Sequence, residues 1–164
     1  TVINKHHSDY PALQILNTVF GGYFGSRLMS NIREDKGYTY SIGSAVASMQ
    51  RGGIFFIATE TGSDVTAKAL HEIYFEMERL RKEPVPPDEL QKVKNYLMGE
   101  FLRSADGPFS LAEMLKGILF YGLDYTYFDR FINTIKTTNP EQLLELAQKY
   151  LSTEDMYEVI AGGS

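Results

Sequence analysis

Two side chains in the stretch SNIREDKGYTY, residues 30–40, are of types and at a spacing that could do chemistry. Arg33 precedes Tyr40 by seven positions, with Gly37 between them. A guanidinium offers several N–H donors in a fixed fork, and a phenol offers one O–H. At one edge, the pair suits a carbonyl oxygen or a peptide backbone, including an oxygen that gains negative charge in a transition state. The same residues also fit an ordinary surface. Arg33 would then pair with Glu34, Asp35 or another acid, and Tyr40 would pack at a sheet edge, since exposed ion pairs are common and weak. Spacing alone leaves both readings open.

Other chemistry is poorly supported. The histidines are His6, His7 and His71. Zinc sites need ligands at set spacings, such as two histidines three or four apart on one helix face. His6 and His7 are adjacent, so in regular structure they diverge, and His71 has no second histidine within a turn. Cysteine is absent, which removes disulfides and thiolate ligands, and there is no Gly-x-Ser-x-Gly elbow. FGGYFGS at 20–26 lacks the lysine and the preceding strand of a phosphate loop. Its glycines read instead as the end of one helix and a sharp turn into the next.

The elements that must position Arg33 and Tyr40 follow from periodicity. Residues 8–20 read as a helix, with Ser8 as cap and Pro11 in the first turn. A short helix capped by Ser26 runs to about Glu34, its apolar face made by Leu28, Met29 and Ile32. Residues 41–49 and 53–61 read as strands joined by a Gln50-Arg51-Gly52 hairpin. IFFIA within the second is apolar throughout, which predicts cover on both faces. A long amphipathic helix spans 64–82, with Val65, Ala69, Ile73, Met77 and Leu80 on one stripe. Further helices are expected at 88–103, 110–121, 125–137 and 140–151, with a capping box at Ser110–Glu113 and an Asn139-Pro140 start. Residues 156–162, MYEVIAG, read as a last strand returning to the sheet. The expected fold class is α+β, a small, mostly antiparallel sheet with helices packed on one face, in one domain over 1–164.

With 164 residues the chain can bury a real core. The formal net charge of −5 disfavours a nucleic-acid partner. No apolar run approaches the roughly 20 residues of a membrane span, and no signal peptide is visible at Thr1. A soluble protein is expected, cytoplasmic or periplasmic if the source is bacterial. The start at Thr1 without Met fits a piece of a longer chain, and equally a processed or engineered start.

Read together, residues 9–44 carry a helix ending in Gly21-Gly22, then Ser26-Arg27-Leu28, then Arg33-Glu34 and Gly37–Tyr40. This series resembles the insulinase/pitrilysin family of zinc metallopeptidases, which includes the mitochondrial processing peptidases. VPPDELQKVK and NPEQLLELAQKYL extend the resemblance over nearly the whole chain. It implies paired homologous halves, one carrying zinc on an inverted His-x-x-Glu-His motif. That motif is missing here, so the chain resembles the C-terminal, zinc-free half. The resemblance implies that zinc belongs to the partner half, in the same chain or in a separate subunit, and that this chain binds none. It further implies that Arg33 holds the backbone of an extended peptide substrate and that Tyr40 binds the scissile carbonyl or the tetrahedral oxyanion. One position departs from the pattern. Tyr38 stands where the family usually has an aliphatic residue; the spacing favours Tyr40 as the functional phenol and leaves Tyr38 to packing. Alternatives are a non-catalytic assembly subunit of the same family and an unrelated peptide-binding α+β module.

Overall fold

The computed structural model describes residues 1–162. Strands β1 (Thr39–Met49) and β2 (Gly52–Thr61) form an antiparallel hairpin, with Val46 opposite Phe55 and Ala45 opposite Phe56. Alternation sends Ile42, Ser44 and Val46, with Phe55 and Ile57, to one face, where they meet the core. The other face carries Ala47, Ile54 and Phe56, all exposed. Cover on both faces, expected from IFFIA, is therefore not found. The helices lie on one face only, and no described residue packs over the other.

Helix α1 (Tyr10–Asn17) has Pro11 in its first turn and runs on as a π-helical turn, Thr18–Gly22. Asp9, not Ser8, occupies the cap position and makes no side-chain capping bond. Its carboxylate instead accepts from Lys149 Nζ and Tyr150 Oη, each at 2.8 Å, tying the start of α1 to the last helix. Gly21 is required by close packing rather than by a turn. A Cβ there would sit 2.5 Å from Ser44 Oγ and 2.7 Å from Ser44 N on β1.

Helix α2 (Thr66–Lys82) buries Ala69, Ile73, Met77 and Leu80 of the expected stripe, while Val65, also expected in it, stands half-buried at the cap position. The next helices are α3 (Pro87–Ser104), α4 (Pro108–Leu119), α5 (Thr126–Thr137) and α6 (Pro140–Tyr150). Asn139 opens α6 with a full capping box, its Oδ1 accepting from Gln142 N at 2.9 Å. The box expected at Ser110–Glu113 is absent, because α4 starts earlier, at Pro108 behind Gly107 with φ +89°. Leu13, Leu16 and Phe20 interlock with Leu28, Ile32, Met77, Leu80 and Leu143 to form the core between the helices and the hairpin.

The expected last strand does not join the sheet, which has two strands. Residues 156–162 run without ladder pairing. Met156 packs against the core and Tyr74 Oη donates to Glu158 Oε1 at 2.7 Å, but Tyr157 and Val159 are exposed. The chain is α+β, with an antiparallel sheet covered by helices on one face.

Candidate functional site

Arg33 lies in a second π-helical segment, Met29–Asp35, whose buried residues Met29 and Ile32 anchor it to the core. Such wide turns are rare and often mark functional places. The segment closes with Lys36 N–H donating to Asn31 O at 3.1 Å and Tyr38 N–H to Ile32 O at 2.9 Å. Gly37, with φ +65°, supplies the left-handed step that sends the chain into β1. The ladder then skips a step between Thr39 and Ile42. An irregular register re-aims side chains. Here Tyr38 packs half-buried against the core, whereas Tyr40 stands 86% exposed. Of the two phenols, Tyr38 is a packing residue and Tyr40 faces outward.

The guanidinium carbon of Arg33 lies 5.1 Å from the centre of the Tyr40 ring and 4.9 Å from that of Phe24. Both distances fall within the range of cation–π attraction, and the planar guanidinium suits stacking. Among the described residues Arg33 joins no ion pair, although Glu34 and Asp35 follow it directly. The nearby acids of α2 serve other partners. Asn31 Nδ2 donates to Glu72 Oε2 at 3.0 Å and to buried Glu76 Oε1 at 2.8 Å, while Lys36 pairs with Glu72 at 3.5 Å. These contacts pin the Arg33 segment to α2 and leave its cation free. Phe24, itself 63% exposed, is the member that sequence reasoning missed. An aromatic residue in the glycine-rich FGGYFGS was the available signal.

A nearby ion pair ties the segment before Arg33 to α3. Arg27, with a side chain only 9% exposed, gives two parallel hydrogen bonds of 2.9 Å to Glu89 on α3. The chemistry of a metal centre is not assembled here. His6, His7 and His71 are exposed, His6 lies edge-on to Tyr121, and His7 Nδ1 accepts from Asp9 N. Among the described residues no three His, Cys, Asp or Glu side chains stand close enough to hold an ion. The described residues therefore offer no ligand set that fits zinc.

The profile of the peptidase M16 inactive domain matches residues 2–97, which take in Phe24, Arg33, Tyr40 and the hairpin. The chain belongs to the peptidase M16 inactive-domain family. This agrees with the insulinase/pitrilysin resemblance of residues 9–44. The M16 inactive domain described here is 31% identical to a Bacillus subtilis protein named uncharacterized zinc protease YmxG, over 91% of this chain and 36% of that protein. It is 23% identical to another Bacillus subtilis protein, named probable inactive metalloprotease YmfF, over 91% of this chain and 34% of that one. Its fold overlays the crystal structure of a peptidase M16 inactive domain from Pseudomonas fluorescens with a TM-score of 0.84. That match has 28% identity and covers 92% of this chain and 36% of the other. The chain thus spans about a third of the length of the curated relatives it matches.

Proposed function

We propose that this M16 inactive domain is one wall of a peptidase cleft, gripping an extended peptide with Arg33 and Tyr40 for a zinc-bearing homologous half. The observation that carries this reading is the Arg33 cation, within about 5 Å of both the Phe24 and Tyr40 ring centres and, among the described residues, paired with no carboxylate. A surface arginine beside two acids would ordinarily be drawn into an ion pair. Held against rings instead, it keeps N–H donors for a ligand. Those donors match peptide carbonyl oxygens, and the exposed Tyr40 hydroxyl can donate to an oxygen that gains charge as the bond is attacked. Zinc and the proton-accepting glutamate belong to the other half in this proposal, and this chain alone is inactive.

The test is hydrolysis of a quenched fluorescent peptide library by this chain, by the zinc-bearing half of the parent or a neighbouring gene product, and by the mixture. Activity is expected in the mixture only, and it should be lost with Arg33→Ala/Tyr40→Phe or with chelator. Elemental analysis of the isolated chain should find no stoichiometric zinc; tight one-to-one zinc would overturn the assignment of halves. A second reading, an assembly subunit without catalytic work, draws on the similarity to a protein named probable inactive metalloprotease. It predicts that the halves bind each other yet no mixture cleaves any peptide.

A further inference from the structure

Tyr40 is fixed through its backbone rather than by burial. Its ring stands 86% exposed and lies against the Arg33 guanidinium. Beneath it the ladder carries a bulge. Thr39 pairs with Thr61 and Ile42 with Thr59, so Tyr40 and Ser41 together face the single residue Glu60. Two threonine hydroxyls lie within that bulge. Thr39, only 9% exposed, accepts from Ser41 N at 3.1 Å and donates from Oγ1 to Glu60 O, 2.6 Å away on the facing strand. Ser41 O, at 2.9 Å, is the longer of its two acceptors. Thr59 Oγ1 lies 3.0 Å from Thr39 Oγ1 and 3.0 Å from Ser41 O. A hydroxyl has one proton to give. With that of Thr39 directed to Glu60 O, that of Thr59 serves Ser41 O. The bond from Ser41 N–H to a hydroxyl two residues back closes a small turn made by a side chain, and Tyr40 is the residue inside it.

We propose that Thr39, assisted by Thr59, is the positioning residue for Tyr40. The proposal rests on the reading of Tyr40 as a donor to the substrate oxygen. Valine has nearly the shape of threonine and the same preference for strands, so the sheet alone does not call for a hydroxyl here. What the hydroxyls add is a tie from the backbone on both sides of Tyr40 to the facing strand. A bulge is where a strand bends and re-aims its side chains. An unburied ring at that place has little packing to hold it. A phenol donates well only over a narrow range of distance and angle, so a small rotation of the Tyr40 backbone takes its hydroxyl out of reach. Thr39 meets no substrate in this arrangement; it acts through Tyr40.

The test is a double-variant cycle in the peptidase assembled from this chain and its zinc-bearing half, read as kcat and KM on a fluorogenic peptide. Thr39→Val should lower kcat by roughly tenfold or more, since a misplacement of about 1 Å can cost that much, with KM little changed. Thr39→Ser, which keeps the hydroxyl, should restore most of the rate. In a Tyr40→Phe background, Thr39→Val should cost nothing further, because the two residues act as one unit. Thr59→Val, at an exposed position, should show a smaller loss with the same dependence on Tyr40, and it serves if Thr39→Val does not fold. An equal loss from Thr39→Val in both backgrounds would overturn the proposal, since Thr39 would then act on the fold at large. Full kcat in Thr39→Val beside an impaired Tyr40→Phe would overturn it and leave the role of Tyr40 standing. An unchanged kcat in Tyr40→Phe would remove both. Crystal structures of the assembled Thr39→Val and Thr59→Val proteins give a readout apart from activity. The Tyr40 ring should leave Arg33 in them, and a ring still in place would overturn the proposal.

Discussion

Tyr40 and Tyr38 are two positions apart, yet they lead different lives. Tyr38 lends its ring to the core, and Tyr40 holds its ring in solvent against Arg33. A large side chain kept 86% exposed gains little from burial. Its contribution to stability is accordingly small, and any strong effect of changing it belongs to ligand or transition state. In the assembled peptidase, Tyr40→Phe should lower kcat by roughly 10²–10³-fold, the range seen when one oxyanion donor is removed, while KM changes little. Steady-state kinetics on a cleaved fluorogenic peptide checks this, and an unchanged kcat removes Tyr40 from the chemistry. Phe24 has a different part. Its ring centre lies 4.9 Å from the Arg33 guanidinium carbon, so it is placed to orient the cation.

At the level of elements, glycines near the site do two different jobs. Gly21 lies where α1 and β1 approach each other, and any Cβ would press on Ser44 backbone. Gly37 has open space but a positive φ. Gly21→Ala should therefore cost about 1–3 kcal/mol through overpacking. Gly37→Ala should cost about 1–2 kcal/mol, through left-handed strain alone. Urea unfolding of the two variants decides the order; a Gly21→Ala protein as stable as wild type would show that β1 can move aside. The Arg27–Glu89 pair makes a third claim. Replacing Glu89 with Gln leaves a nearly buried cation without its counter-ion. The loss should fall toward the low end of the roughly 3–5 kcal/mol typical of broken buried pairs, because Glu89 is partly in solvent. Arg27→Met/Glu89→Leu should regain much of it, and the same unfolding assay reports both.

Across the whole molecule, chain ends are stitched by charge as well as by apolar packing. Asp9, before α1, holds Lys149 and Tyr150 at the end of α6. The hydrogen bond from Lys149, then that from Tyr150, outweighs desolvation and holds the Asp9 carboxyl below its usual range. A depressed carboxyl stabilises the fold at pH values above the unfolded-state value of about 3.9, and this contribution fades as pH falls through the lower folded-state value. Asp9→Asn should therefore melt below wild type at pH 7, with the gap closing in acid. Differential scanning calorimetry across that range tests it, and a gap independent of pH would mean that the cluster acts by packing. No helix among the described residues is long and apolar enough to cross a membrane.

The amino-acid sequence by itself determined most of the helix stripes, the presence of the hairpin, the Asn139 cap, and Arg33 with Tyr40 as residues of interest. Each is a local matter of periodicity, capping chemistry or short spacing, so neighbours along the chain carry the information. Tertiary structure alone decided the rest. Whether Arg33 would meet Glu34, Asp35 or an aromatic ring depended on where α2 placed its own acids and on Phe24, nine residues upstream. That Tyr40 rather than Tyr38 turns outward depended on a register irregularity at the start of β1. MYEVIAG reads as a strand but makes no ladder with β2, because a strand forms only against a neighbour that can answer its backbone, and pairing is a property of two segments and not of one.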